Sequence, residues 1–407
     1  TADFVKAAGR LSVDLTIATE ETSTFESREP AGLLTLDFNS PEEAARKAVR
    51  FSKKFPLDAV LGVDDPTALI AAKISEKLSL PANTVVTASD TLDKFRMRLR
   101  LSEHGIPVPA FQLLPFTKNP KALPGNISFP CVLKPVNFSA SRGVIRADTP
   151  AEFKAAFNTI QTLVRKTPDR IIPEQDGILV EEFIPGDEVA IEGIIIRGKV
   201  YIIAIFDKPD PLDGPYFPET IYVTPSRLAP GTQETVTRCV KDALAALGIR
   251  KGPFHAELRL SSQGPRVLEI AARSIGGHCS RMFRFGTVSS LEELVIREAL
   301  GMEISDPEIP EGASGVLMIP VPEKGRIREI SGIAGARRVK GIREVDITAH
   351  SGQFVSPLPE GNPAYLGFIF AEGPDSGFVE EALRTAGRLI RPRINRGETK
   401  IAKKRLR

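Results

Sequence analysis

Glu257 lies in the run His255-Ala256-Glu257-Leu258-Arg259-Leu260, and Glu269 in Val267-Leu268-Glu269-Ile270-Ala271. Ser261-Ser262-Gln263-Gly264 lies between the runs, so the spacing predicts a hairpin with both carboxylates on one face. Neighbouring carboxylates repel unless a cation bridges them, and hard oxygen donors select Mg²⁺, which usually also takes phosphate oxygens. Arg273, four residues after Glu269, suits an oxyanion formed as phosphate is transferred. Lys134 ends the apolar run Pro130–Pro135 and sets a point charge ahead of the small-residue loop Ser139–Val144. The backbone N–H groups of that loop suit contact with anionic oxygens. A third run, Ile178–Ile184, turns at Pro185-Gly186. Backbone groups of Glu181, Glu182, Phe183 and Ile184 suit the edge of an adenine, and Glu188 beyond the turn suits ribose hydroxyls. Singly these features read as a charged surface hairpin, an ordinary β-turn and a strand end. Together they read as a site for a nucleotide and Mg²⁺.

Stepping outward, the chain alternates strand and helix patterns in residues 1–93. Leu33–Leu36 and Ala59–Val63 read as buried strands, and Pro41–Lys54 and Thr67–Lys77 as helices with three- and four-residue apolar spacing. That βαβ pattern implies a parallel sheet. Residues Ala2–Leu11 read as an amphipathic helix ending near Gly9. Because the pattern opens on a helix without Met, a first strand is expected upstream of residue 1. From 94 to 301 the pattern is mixed: hairpin strands Val189–Ile196 and Val200–Phe206, an irregular segment Pro209–Pro225 with five prolines, a helix Thr232–Leu247 closed by Gly248, and a helix Leu291–Leu300. Residues 302–396 hold glycine-punctuated strands and a helix Phe378–Ile390, and the chain beyond Pro392 reads as a solvated tail.

Composition narrows the class. The 407 residues are 42% hydrophobic and 26% charged, as in ordinary globular domains. No apolar run reaches the ~18 residues of a membrane-spanning helix. Three scattered cysteines fit a reducing cytoplasm better than a disulfide framework. Residues 384–407 carry ten Lys/Arg against the single acid Glu398, a formal +9. With +3 overall, residues 1–383 carry −6, so a nucleic-acid-binding body is not expected.

The order, spacing and types of these residues resemble the ATP-grasp superfamily of carboxylate–amine ligases, and within it the L-amino-acid ligase branch of bacilysin-type dipeptide synthetases. The motifs are Asp93-Lys94-Phe95-Arg96-Met97-Arg98, Val132-Leu133-Lys134-Pro135, Ser139–Val144, Glu181–Gly186, Phe254–Glu257 and Glu269–His278. The resemblance implies an α/β (α+β) ATP-grasp fold: a Rossmann-like domain in 1–93, an ATP-holding centre in 94–301, a β-rich domain in 302–396 and a basic tail in 397–407. It implies an amide-forming ligase that passes through an acyl-phosphate and releases ADP and phosphate. It also implies ATP and Mg²⁺ (with Mn²⁺ as a substitute), small carboxylate and amine substrates, and a homodimer.

By the same resemblance, Lys94 and Lys134 contact phosphates, Glu257 and Glu269 ligate Mg²⁺, and Arg273 stabilises the acyl-phosphate. Ser141, Arg142 and Gly143 belong to a loop over the phosphates. Glu219 is open between an α-amino group, a metal and a plain loop position. Ser274, Gly276, Gly277 and His278 are candidates for a substrate carboxylate, with a structural role for His278 the plainer reading. Two departures stand out: Ala271 where many relatives place a metal-binding Asn, and Ala140 where glycine is common. A biotin-carboxylase-like or purine-pathway enzyme, and a degenerate nucleotide-binding scaffold, are the alternatives.

Overall fold

The computed structural model describes residues 2–21, 31–117, 125, 127–167, 177–285, 290–304 and 311–395. The chain opens with α1 (Ala2–Leu11), followed by β1 (Ile17–Thr19) and β2 (Leu33–Thr35), which pair in parallel. Four helices follow: α2 (Pro41–Ser52), α3 (Asp65–Leu78), α4 (Val85–Leu92) and α5 (Lys94–Glu103). Leu34, Leu36, Ala44, Ala45, Ile70 and Ile74 form the local core, so the apolar stripes of α2 and α3 close on β2. The expected strand Ala59–Val63 does not form. Leu61 and Val63 are each 40% exposed, and the run has no ladder partner among the described residues to hold it extended. Helix α1 packs through Ala7 and Ala8 on Ile296, far along the chain.

The next unit holds β3 (Phe111–Pro115), β4 (Cys131–Pro135), β5 (Ile145–Ala147), α6 (Pro150–Arg165) and β6 (Gly177–Glu182). The strands form an antiparallel sheet ordered β3-β6-β4-β5. Phe153, Phe157, Ile160 and Val164 of α6 bury its Leu133–Ile178–Val180 face.

The larger sheet begins with β7 (Asp187–Ile196), β8 (Lys199–Asp207) and β9 (Ile221–Thr224), so four residues just before the closing proline of the expected irregular segment are a strand. Residues 220–223 are Thr-Ile-Tyr-Val, a β-branched and aromatic run that overrides the nearby prolines. Helix α7 (Pro230–Leu247) ends on Gly248, whose φ of 72° suits glycine. Then come β10 (Gly252–Ser261), β11 (Gly264–Ala271), a 3₁₀ segment Cys279–Phe285 and α8 (Leu291–Ala299), the helix on which α1 rests.

The C-terminal portion contributes β12 (Ala313–Pro320), β13 (Gly325–Ser331), α9 (Ile333–Ala336), β14 (Ile342–Ile347), β15 (Phe354–Val355), β16 (Tyr365–Gly373), α10 (Ser376–Leu389) and β17 (Arg391–Asn395). One eight-stranded sheet, ordered β11-β10-β7-β8-β9-β12-β16-β14, runs across residue 302. The stretch beyond Pro392 is not simply tail: β17 pairs with β13, Ile394 opposite Ile327. Alternating Pro392 and Ile394 bury one face while the arginines point outward, which hides the strand in a basic sequence. The expected tail 397–407 lies outside the described residues.

Candidate active site

The four-stranded and eight-stranded sheets face each other across a cavity of about 400 Å³. Strands β4 and β6 contribute Lys134, Glu181 and Glu182, and β10 and β11 contribute Glu257 and Glu269. The hairpin sets Glu257 directly opposite Glu269, with a bulge just after Glu257. Asp93 ends α4 and caps α5 by accepting from the Phe95 and Arg96 amides, which fixes Lys94 at the first position of α5. Lys94 Nζ then donates to the Phe138 carbonyl at 2.7 Å and reaches Glu269 at 3.2 Å.

Three charge clusters line the cavity walls. In the first, Glu181 is 2% exposed and sits 2.5 Å from both Lys134 Nζ and Arg98 Nε. Burial pulls the Lys134 ammonium below its ordinary pKa against the attraction of Glu181. Burial alone would raise Glu181, but the two cations hold it below the usual carboxylate range.

In the second, Lys208 Nζ donates to Glu188 at 2.7 Å and to Glu219 and Glu257 at 3.1 Å each. Tyr222 Oη donates to Glu219 at 2.7 Å, and Tyr365 Oη to the other Glu219 oxygen at 3.3 Å. Burial together with the charges of Glu219 and Glu188 raises Glu257, although Lys208 opposes this. Glu219 is held low against burial by Lys208 and its hydrogen bonds. His255 lies between Glu192 at 3.1 Å and Glu257 at 3.6 Å. Burial disfavours its charge, yet these carboxylates push its pKa up to about 9.

In the third, Arg273 makes a two-pronged ion pair with Asp65, Nε to Oδ1 at 2.8 Å and Nη2 to Oδ2 at 2.9 Å. Asp65 opens α3, after the Asp64–Thr67 capping box that sets the helix start. Burial favours the neutral Asp65, but the Arg273 charge holds its carboxyl below the usual range.

The cavity gathers Lys94, Lys134, Ser141, Glu181, Glu182, Phe183, Ile184, Glu188, Glu219, Glu257, Glu269, Arg273, Gly276 and Gly277 on one surface. Arg142 and Gly143 instead face the C-terminal portion: the Arg142 guanidinium donates to the Glu360 carbonyl, and the Gly143 amide to that of Pro359, each at 2.9 Å. Ala140 and Ser141 hold consecutive φ values of 54° and 55°, a left-handed turn where glycine would be easier. Ser274 accepts from Arg273 at 3.0 Å, and His278 stacks on Phe368 with Asp346 at 3.4 Å. Neither lines the cavity. The strand end at β6 is less open than its Pro-Gly stop suggests. Glu182 donates to Ala110 and Phe183 to Pro130, because β6 is flanked by strands on both sides.

Sequence reasoning missed Lys208, Arg259 and Glu192, and took Arg98 only as part of the Asp93–Arg98 motif, with no role of its own. Lys208 lies between β8 and the proline-rich segment, with no motif around it, so only the fold reveals its partners. Arg98 carried a weak signal, one helical turn after Lys94 on α5.

A small antiparallel sheet closing on a larger one, with a buried lysine on one and paired carboxylates on the other, is the architecture of an ATP-grasp protein. Models of known families agree: an ATP-grasp N-terminal domain matches residues 5–82, an ATP-grasp domain 127–282, and an L-amino acid ligase C-terminal domain 317–395. The chain belongs to the ATP-grasp superfamily and carries the C-terminal domain of the L-amino acid ligases. It is 26% identical over 255 residues to the alanine–anticapsin ligase of Bacillus subtilis, an alignment covering 59% of this chain and 53% of that one. With dapdiamide A synthase of Enterobacter agglomerans it shares 27% over 230 residues, 55% of this chain and 52% of that protein. The matches thus span about half the length of these two curated relatives. The crystal structure of an L-amino acid ligase from Bacillus licheniformis superposes with a TM-score of 0.83 at 27% identity, covering 97% of this chain and 96% of that one.

Proposed function

We propose that this chain is an ATP-dependent carboxylate–amine ligase that joins an amino acid to an amine or a second amino acid. The observation that carries the reading is the cross-strand pair Glu257–Glu269, facing Lys94, Lys134 and Arg273 across one cavity. The named activities of the relatives, ligases of alanine with anticapsin and synthesis of dapdiamide A, support the same class.

In this reading Lys94 and Lys134 meet the phosphates, with Ser141, Arg142 and Gly143 in the loop above them. Remaining backbone groups of Glu181–Ile184 meet the adenine, and Glu188 the ribose. The cross-strand carboxylates fit a hard dication, because a Mg²⁺ held with phosphates needs only one or two protein carboxylates. When bound there, Mg²⁺ (or Mn²⁺) neutralises charge on the phosphoryl oxygens.

The chain's own residues do the rest by placement and charge. Arg273, oriented by Asp65, faces the phosphoryl end of the substrate carboxylate. Glu219, held low in pKa, suits an ammonium group of a substrate. Gly276 and Gly277 leave room for backbone contact with a second carboxylate. Ser274 and His278 stand one step back, as supports of that segment. The first 93 residues close the cavity with Asp65, and 302–396 with Tyr365. Three buried, unpaired cysteines fit a cytoplasmic protein.

Phosphate release from purified protein with ATP, Mg²⁺ and pairs of amino acids tests the reading. Release that requires both partners, with a dipeptide or amide product by mass spectrometry, is expected. ATP binding without release for any pair would replace it with a nucleotide-binding scaffold.

A further inference from the structure

Lys208 stands out among the buried charges because none of the roles above uses it. It is the first residue after β8, and its side chain is 3% exposed. Its three partners come from separate places: Glu188 from β7, Glu257 from β10 and Glu219 from the loop before β9. All three carboxylates line the cavity, whereas Lys208 lies behind them. An ammonium has three N–H donors, and each is within 3.1 Å of one carboxylate, so its donor capacity is filled. The Tyr222 ring, 4.9 Å from Nζ, covers another side. Arg259 Nε, 3.1 Å from the second oxygen of Glu188, and the hydroxyls of Tyr222 and Tyr365 complete the frame. Three like charges drawn around one nitrogen would separate without it.

We infer that Lys208 is a positioning residue: a built-in cation that locks the proposed ribose, metal and amine carboxylates into one unit and keeps a dication off the Glu188–Glu219 side of Glu257. The inference rests on the ligase reading for the names of the subsites, but not for the geometry. Two consequences follow. A divalent ion at Glu257 is confined to the side of Glu269. Occupancy of the ribose subsite and of the amine subsite is coupled, since both carboxylates share one partner.

The test combines metal counting with kinetics. Mn²⁺ is titrated with a non-hydrolysable ATP analogue present and followed by electron paramagnetic resonance. The wild type is compared with Lys208→Met, Lys208→Gln and Glu219→Gln, each checked for folding by thermal melting. The lysine variants are expected to bind one more Mn²⁺ per chain than the wild type, because three vacated carboxylates form an oxygen site. E219Q is expected to leave the wild-type count and affinity within twofold, since Lys208 already occupies that side. In turnover, K208M is expected to lose at least 100-fold in kcat/KM, with KM rising together for ATP and for the amine.

An unchanged Mn²⁺ count in a folded lysine variant overturns the inference, as does kcat/KM within threefold of wild type. Tenfold weaker Mn²⁺ binding in E219Q also overturns it, and that arm stands even if neither lysine variant folds. If the wild type releases no phosphate with any substrate pair, the ligase reading falls, while the metal counts still decide the role of Lys208.

Discussion

Glu269 is the residue on which the proposed chemistry depends most directly. Replacing it by alanine removes one carboxylate of the pair and the partner of Lys94, and leaves the strand pairing intact. Turnover by E269A is expected to vanish with an unchanged circular dichroism spectrum. Near-normal ADP release would sink the metal assignment. Asp65 makes a different prediction. Asp65→Asn loses the two-pronged grip on Arg273, so stability is expected to drop by about 2 kcal/mol, in the range for hydrogen bonds to charged groups. The sign with pH follows from its lowered pKa. The carboxylate contributes fully above the unfolded value near 3.8 and less as pH falls through the depressed folded value. Urea midpoints of wild type and D65N should therefore differ most near neutral pH and converge in acid; a gap that widens in acid would contradict the pairing. The chemistry of single residues was largely legible from types and spacing. The partner that orients Arg273 was not, because Asp65 lies over two hundred positions away and meets it only when the start of α3 closes on the segment that follows β11.

Among the elements, the β6–β7 turn carries a sharp steric constraint. Gly186 has φ of 115°, and a Cβ there would sit 2.1 Å from the Leu260 carbonyl oxygen on β10. Gly186→Ala must shift that turn or its neighbour, so a loss of about 2 kcal/mol or more is expected, together with weaker nucleotide binding. A melting temperature within a degree of wild type would show that the turn yields freely. At α10, Asp375 accepts from the Phe378 amide as N-cap, and Asp375→Ala is expected to cost about 1 kcal/mol in chemical denaturation. The helices α2, α3, α7, α8 and α10 were readable in advance from their apolar spacing, though not where each begins. The strand at 59–63 was misread and those at 221–224 and 391–395 were missed, because pairing depends on which neighbour is present rather than on the run itself.

For the whole molecule, the cavity is lined by residues of both sheets and of the N- and C-terminal portions, so a nucleotide bound there should bind only the folded chain. Adding MgATP at a hundred times its Kd is expected to raise stability by about 2.7 kcal/mol, seen as a higher melting temperature, and chelating the metal with EDTA should remove most of the gain. No change in melting temperature with saturating MgATP would argue against this cavity as the nucleotide site. The loop over the proposed phosphate subsite is tied at Arg142 and Gly143 to Pro359 and Glu360, so the C-terminal portion reaches the site through the backbone.

By itself the sequence determined the α/β class, the β10–β11 carboxylate pair and most of the charged residues around the cavity, because these depend on local periodicity and short spacings, while the superfamily came from the resemblance of its motifs to a known family. The tertiary structure decided which charges neutralise which. It set Lys208 among Glu188, Glu219 and Glu257, gave Arg98 and Lys134 a shared carboxylate in Glu181, and joined Asp65 to Arg273. Electrostatic partnership acts over a few ångströms of space, and residues separated by tens to hundreds of positions come within that range only when the sheets are assembled.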